Sequence, residues 1–278
     1  MSTHLIAFFT LREALRRRVV LAAALLTFGY LVLYGVGVWF GYRDLQDTPG
    51  GPPGLTEGVV NLMLVGGLWS LNFIASVLAV FLSVGALAGE VDQGTLHAIA
   101  ARPVRRSEIV LGKFVGFTLM LAVFIGVSAG LMILIVAVIT GQIVGASWSG
   151  PLLMLLASML LIGLALAGSS RLSPLPNGVI VFTLYSTALI GGVIEQIGDV
   201  LESAVMFNIG IFSSVLVPTR AIWDMASAQL AAGGFAGELS AGPFGASNPP
   251  SGWMLLIAFL HLALTLGFAL RAFERRDF

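Results

Sequence analysis

The sequence predicts an all-α, polytopic membrane protein with six transmembrane helices, both termini cytoplasmic, and a short re-entrant or interfacial helix between spans five and six. Three observations carry this. Of 278 residues, 58% are apolar and 10% charged, against about 25% charged in a soluble domain. The apolar residues gather in runs close to the roughly 20 that a bilayer crossing needs. With the N-terminus inside, the inner segments hold twelve of the fourteen basic residues and six of the fourteen acidic ones, which is the asymmetry of retained cytoplasmic loops.

The chain opens with a basic helix over residues 4–18, where Phe8, Leu11 and Leu15 form an apolar stripe closely flanked by Arg12 and Arg16. Such a helix suits the inner headgroup layer, its arginines held by anionic lipid. A simple topogenic basic cluster is the plainer account. The first span, 19–42, is too long for a secretory signal and has no small-residue cleavage pattern, so it reads as a retained anchor. The second, 59–89, exceeds the hydrocarbon thickness and must tilt or protrude. The third runs over 115–139, after a turn in which Ser107 can cap. The fourth, 151–168, still covers about 27 Å at 1.5 Å per residue. The fifth covers 178–198 and the sixth 253–270, with Tyr42, Trp148 and Trp253 near span ends where amphipathic rings favour the headgroups.

Between spans five and six, residues 204–217 make an uncharged run too short to cross. Counting it as a seventh span would carry Arg271, Arg275 and Arg276 outside, so it is read as a helix dipping into the outer leaflet. The Gly/Pro-rich stretch after it, 233–250, reads as a flexible outer loop. The whole chain is one transmembrane domain.

Equal basic and acidic totals argue against nucleic acid as a partner. No cysteine is present, so there is no disulfide or thiolate chemistry. The spacings of metalloprotease and serine-hydrolase sites are missing, and no metal site is assigned.

The most informative segment is the inner loop, residues 90–106. Gly94 permits a turn, Thr95 can cap, and Leu96, Ile99 and Ala100 share one helical face. Pro103 then stops the helix. A compact helical knuckle results, with a basic shoulder at Arg102, Arg105 and Arg106, suited to a partner's groove. The alternative is an ordinary inside loop whose arginines only set topology.

Glu90, Gly94-Thr95-Leu96, Arg102-Pro103, Arg106 and Gly112-Lys113 together resemble the signature of ABC-2 type permeases, membrane subunits of ABC transporters. The resemblance covers the whole chain, and is nearest the branch containing the permease for nitrous-oxide-reductase maturation. It implies a permease homodimer in a prokaryotic cell membrane, exporting a substrate with two separate ABC ATPase subunits bound on the cytoplasmic side. Residues 90–106 are then the coupling helix, with Glu90, Gly94, Thr95, Leu96, Arg102, Pro103, Arg105, Arg106 and Lys113 as coupling residues. Arg12, Arg16, Arg17 and Arg18 rank second as ATPase or lipid contacts. ATP and magnesium belong to the partner. This chain has no phosphate loop of its own around Lys113, since Ser107 stands where the first glycine is needed and Phe114 where Ser/Thr is needed.

Polar groups within spans are costly and so count as functional candidates. His261 is either a neutral imidazole bonded to a neighbouring helix or a substrate or metal contact. Asn72 either lines a path or bonds between helices. Glu195, with Asp199 and Glu202 at i+4 and i+7, either draws cationic substrate or forms a solvated acidic rim. Asn72, Glu195 and His261 are the candidate translocation residues. A standalone secondary transporter or channel is the rival reading, followed by a membrane enzyme and a scaffold.

Overall fold

A computed structural model describes residues 3–16, 18–47, 54–89, 105–142, 148–230, 245 and 250–275. Its elements among these residues are all helices: α1 (Thr3–Arg16), α2 (Arg18–Asp47), α3 (Leu55–Ser83), α4 (Arg106–Thr140), α5 (Ser149–Ser169), α6 (Pro174–Val200), α7 (Ala204–Leu216), α8 (Thr219–Leu230) and α9 (Trp253–Glu274). Six of them, α2 to α6 and α9, are long and apolar enough to cross a bilayer, and α7 and α8 form a pair bent by 102° between spans five and six. The all-helical, six-span expectation with an extra element before the last span is therefore met.

α3 and α5 form the centre of the bundle, while α2 and α9 are the most exposed spans. Apolar burial does not drive helices together in lipid, so close packing at small residues and interhelical hydrogen bonds must do so. α2 shows this: its tyrosines reach inward, Tyr30 OH donating to Gly67 O (3.2 Å), Tyr34 OH to Met63 O (3.3 Å) and Tyr42 OH to Thr140 O (3.1 Å). Gly67 leaves room for the Tyr34 ring and the Met132 side chain, which a methyl there would strike. Gly163 on α5 likewise admits Thr265 and Leu262 of α9.

α1 packs along α4. Its buried face is Ala7, Thr10 and Ala14, while Phe8 and Leu15 are exposed. Gly112 and Gly116 are the matching notch on α4, the first lying against Thr3 and Ile6 and the second against Ala7 and Thr10. The helix thus has two uses: small residues dock it on α4 with Leu11 packed against the core, and Phe8 and Leu15 are left for lipid.

α4 begins at Arg106 with Arg105 at the N-cap position, so Ser107 lies inside the first turn and does not cap. The helix ends at Gly141, whose φ of 68° suits glycine.

The bent pair enters and leaves at one end of the bundle. The start of α7 lies against the end of α6, where Gly198 meets Met206 and Phe207, and the last residue of α8, Leu230, lies against Gly150 at the start of α5. The dip expected over 204–217 is hence the first arm of a re-entrant hairpin whose second arm, α8, packs into the core beside α5. The predicted outer loop 233–250 lies outside the described residues except for Gly245 and Pro250. Gln196 Nε2 donates to Gly245 O at 2.6 Å.

Candidate functional site

Of the coupling candidates, Glu90, Gly94, Thr95, Leu96, Arg102 and Pro103 lie outside the described residues, as does Arg17. The structure does describe how both ends of that segment join the bundle. On the entry side, Ser83 is followed by turns over 84–87, and the N–H groups of Leu87 and Ala88 and the carbonyl of Val84 find their partners on neighbouring spans. Ser169 at the end of α5 supplies one: its Oγ accepts from Leu87 N (3.0 Å) and Ala88 N (3.1 Å). Asn177 in the first turn of α6 supplies the other, its Nδ2 donating to Val84 O (2.7 Å) and Ala165 O (2.8 Å). Asn177 fits because Gly168 has no side chain where its amide rests. Three spans are thereby fastened at one point.

On the exit side Arg106 crosses to the last turn of α9, where Nη1 donates to Glu274 O (2.9 Å) and Phe273 O (3.4 Å). Terminal carbonyls of a helix lack partners and carry its negative dipole end, so a guanidinium is well placed there. Arg105 is exposed. Lys113 is buried, two turns in from the loop. Arg12, Arg16 and Arg18 lie at the same end, all at least partly exposed. Arg171 stacks over the Phe268 ring at 5.6 Å, tying the turn between α5 and α6 to α9.

A second polar group occupies the interior. Arg220 near the start of α8 is 2% exposed and its Nε lies 2.9 Å from Asp224 Oδ1. The arginine runs across Gly192 of α6, where an added Cβ would stand 2.8 Å from Nε. Beside it is a largely closed chamber with about 10 Å³ of space for a water centre, lined by Trp69, Asn72 and Phe73 of α3, Tyr185 and Leu189 of α6, and Thr219, Arg220 and Trp223 of α8. The Tyr185 ring stacks on Phe73 at 6.3 Å.

Of the three translocation candidates, one, Asn72, lines the chamber, and Glu195 is within electrostatic range of Arg220. His261 is elsewhere, on α9, which packs on α5 and α4, and its Nε2 has no hydrogen-bond partner among the described residues. The expected face of three carboxylates is not formed, because α6 ends at Val200 and Glu202 stands past it at φ 51°, where the chain reverses and Ser203 N bonds back to Gly198 O. Reading the sequence for loops and spans missed Arg220, Asp224, Ser169 and Asn177. For the first pair a signal was present: charges at i and i+4 directly after Pro218, within Ile222 and Trp223, mark a helix start and not a solvated loop.

A family profile described as ABC-2 family transporter protein matches residues 11–278. The chain belongs to the ABC-2 transporter family. Among curated relatives, this ABC-2 protein is 33% identical over 170 residues to a probable ABC transporter permease protein NosY of Pseudomonas aeruginosa, a match covering 59% of this chain and 58% of the relative. It is 31% identical over 130 residues to a probable ABC transporter permease protein NosY of Stutzerimonas stutzeri, covering 46% and 43%. The chain spans about half the length of these relatives. Membership of the family and the six apolar spans make it a multi-pass protein of a prokaryotic cell membrane.

Proposed function

We propose that this chain is the permease subunit of an ATP-driven exporter, working as a homodimer with separate ATPase subunits bound at the basic, cytoplasmic end. The observation that carries the reading, beside family membership, is the double fastening of the 90–104 segment. Its entry is clamped by Ser169 and Asn177 to α5 and α6, and its exit is tied through Arg106 to α9. A push on that segment therefore moves five spans, α3, α4, α5, α6 and α9, and not one loop.

In this reading Glu90, Gly94, Thr95, Leu96, Arg102, Pro103 and Arg105 meet the ATPase, and Arg106 and Lys113 pass the displacement into α4 and α9. Arg12, Arg16, Arg17 and Arg18 hold α1 against anionic lipid or the ATPase flank. The chain performs no bond chemistry; ATP and magnesium are handled by the partner. The test is the assembled complex in proteoliposomes. Replacing Glu90 by Gln together with Arg106 by Gln leaves insertion intact and abolishes substrate-stimulated ATP hydrolysis, and undiminished stimulation overturns the assignment. Buried charges at Arg220 and Asp224 favour a second reading, a secondary transporter. Uphill transport by the purified chain alone, driven by an ion gradient, would establish that one instead.

A further inference from the structure

The chamber beside Arg220 has the makings of a binding site. At 1.5 Å per residue, Asn72 and Tyr185 stand roughly 16 Å from Ser83 and Pro174 at the basic ends of their helices. That is near the middle of a hydrocarbon layer about 30 Å thick. Around it Asn72 Oδ1, Thr219 Oγ1 and Arg220 Nη2 are all buried and have no hydrogen-bond partner among the described residues, and Tyr185, whose hydroxyl faces Ser76, lines it as well. Tyr185 is 1% exposed and Thr219 2%. Buried polar groups are normally matched, so three unmatched ones around a single chamber are what a polar ligand would satisfy.

The chemistry of the ligand follows from what is unmatched. Arginine only donates, and its fork has five N–H groups of which Asp224 faces the Nε side. The Tyr185 and Thr219 hydroxyls donate as readily as they accept, and a half-turn of the Asn72 amide presents its NH₂. What is lacking is acceptor oxygen. A metal cation is refused by the guanidinium. Asp224 offsets the formal charge of Arg220, and Glu195 adds negative charge from outside the lining; at the chamber itself α8 starts at Thr219 and directs the positive end of its dipole, about half a charge, at the same spot. Half-helices that end at mid-membrane serve anionic groups in this way. Trp69, Phe73 and Trp223 keep bulk water out, which strengthens each of these interactions.

The geometry points to a mid-membrane site for a singly charged oxyanion, carboxylate, sulfonate or phosphodiester, gripped by Arg220, Thr219, Tyr185 and Asn72. The present space holds one water, so the anion enters as the α7–α8 hairpin shifts. That the anion is cargo rests on the permease reading; that it binds does not.

Full-length chain in nanodiscs, with Trp39, Trp148 and Trp253 replaced by Phe, leaves Trp69 and Trp223 beside the chamber as reporters. Acetate is titrated at constant ionic strength in phosphatidylcholine discs, with uncharged acetamide as the matched control, and a parallel series raises the phosphatidylglycerol content. A saturable emission change with acetate identifies a free anion, and one with phosphatidylglycerol alone a lipid headgroup; acetamide gives neither. Tyr185→Phe, which removes only the hydroxyl, weakens the response at least threefold. Arg220→Gln with Asp224→Asn, which keeps the pocket neutral, weakens it at least tenfold, with gel-filtration profiles unchanged. No response in either series, an equal response to acetamide, or full affinity in both variants overturns the site. Binding retained while ATPase coupling fails would sink the permease reading alone, and the reverse would sink the site alone.

Discussion

Replacing Ser169 by alanine removes the acceptor shared by Leu87 N and Ala88 N without altering any apolar contact of size. Both residues are buried, so water cannot substitute. Two hydrogen bonds at about 1 kcal/mol net each amount to about 2 kcal/mol, or roughly thirtyfold in a local opening equilibrium. The assay is amide hydrogen exchange on the chain in nanodiscs. Exchange at 87–89 should quicken about thirtyfold in S169A, while the Asn177 clamp keeps the α5–α6 turn protected. Under the permease reading the same variant still binds the ATPase but loses most substrate stimulation. Unchanged protection at 87–89 would refute the claim that Ser169 fastens the loop to the spans.

Gly192→Val places a side chain on the Arg220 guanidinium stem, and overpacking of about 1–3 kcal/mol should lower the yield of monodisperse protein. Gly29→Ala, where nothing lies within 4 Å of the added atom, should leave yield unchanged or raise it. Asp224→Asn alone strands a buried guanidinium at a cost of about 3–5 kcal/mol, so thermal stability in detergent should fall sharply, and Arg220→Met with Asp224→Leu should restore most of it. Gly116→Leu drives α1 from its notch on α4. Limited proteolysis should then cut within 3–16 in the variant and spare the parent.

The span count was legible because a bilayer imposes a length and a charge asymmetry on each crossing, and both are properties of consecutive residues. The notch of Gly112 and Gly116 was not, since Gly126 shares their spacing with Gly130 and touches nothing, so spacing alone does not mark a contact. The knuckle expected over residues 90–106 from glycine, proline and charge lies outside the described residues apart from Arg105 and Arg106. Counting the spans did not require knowing which helix stands next to which.

Arg220 was the residue most misjudged by local reading. Counted among loop charges, it lies inside the protein, because the hairpin folds back and α8 inserts between α3, α5 and α6. Asn72, Tyr185 and Thr219 lie far apart along the chain and become one chamber only through that insertion, as Leu87 and Asn177 become one clamp. Hydropathy and charge act on each segment in turn, so order along the chain reveals where it crosses. Unmatched donors acquire meaning only when three helices bring them within bonding distance, and that proximity belongs to packing.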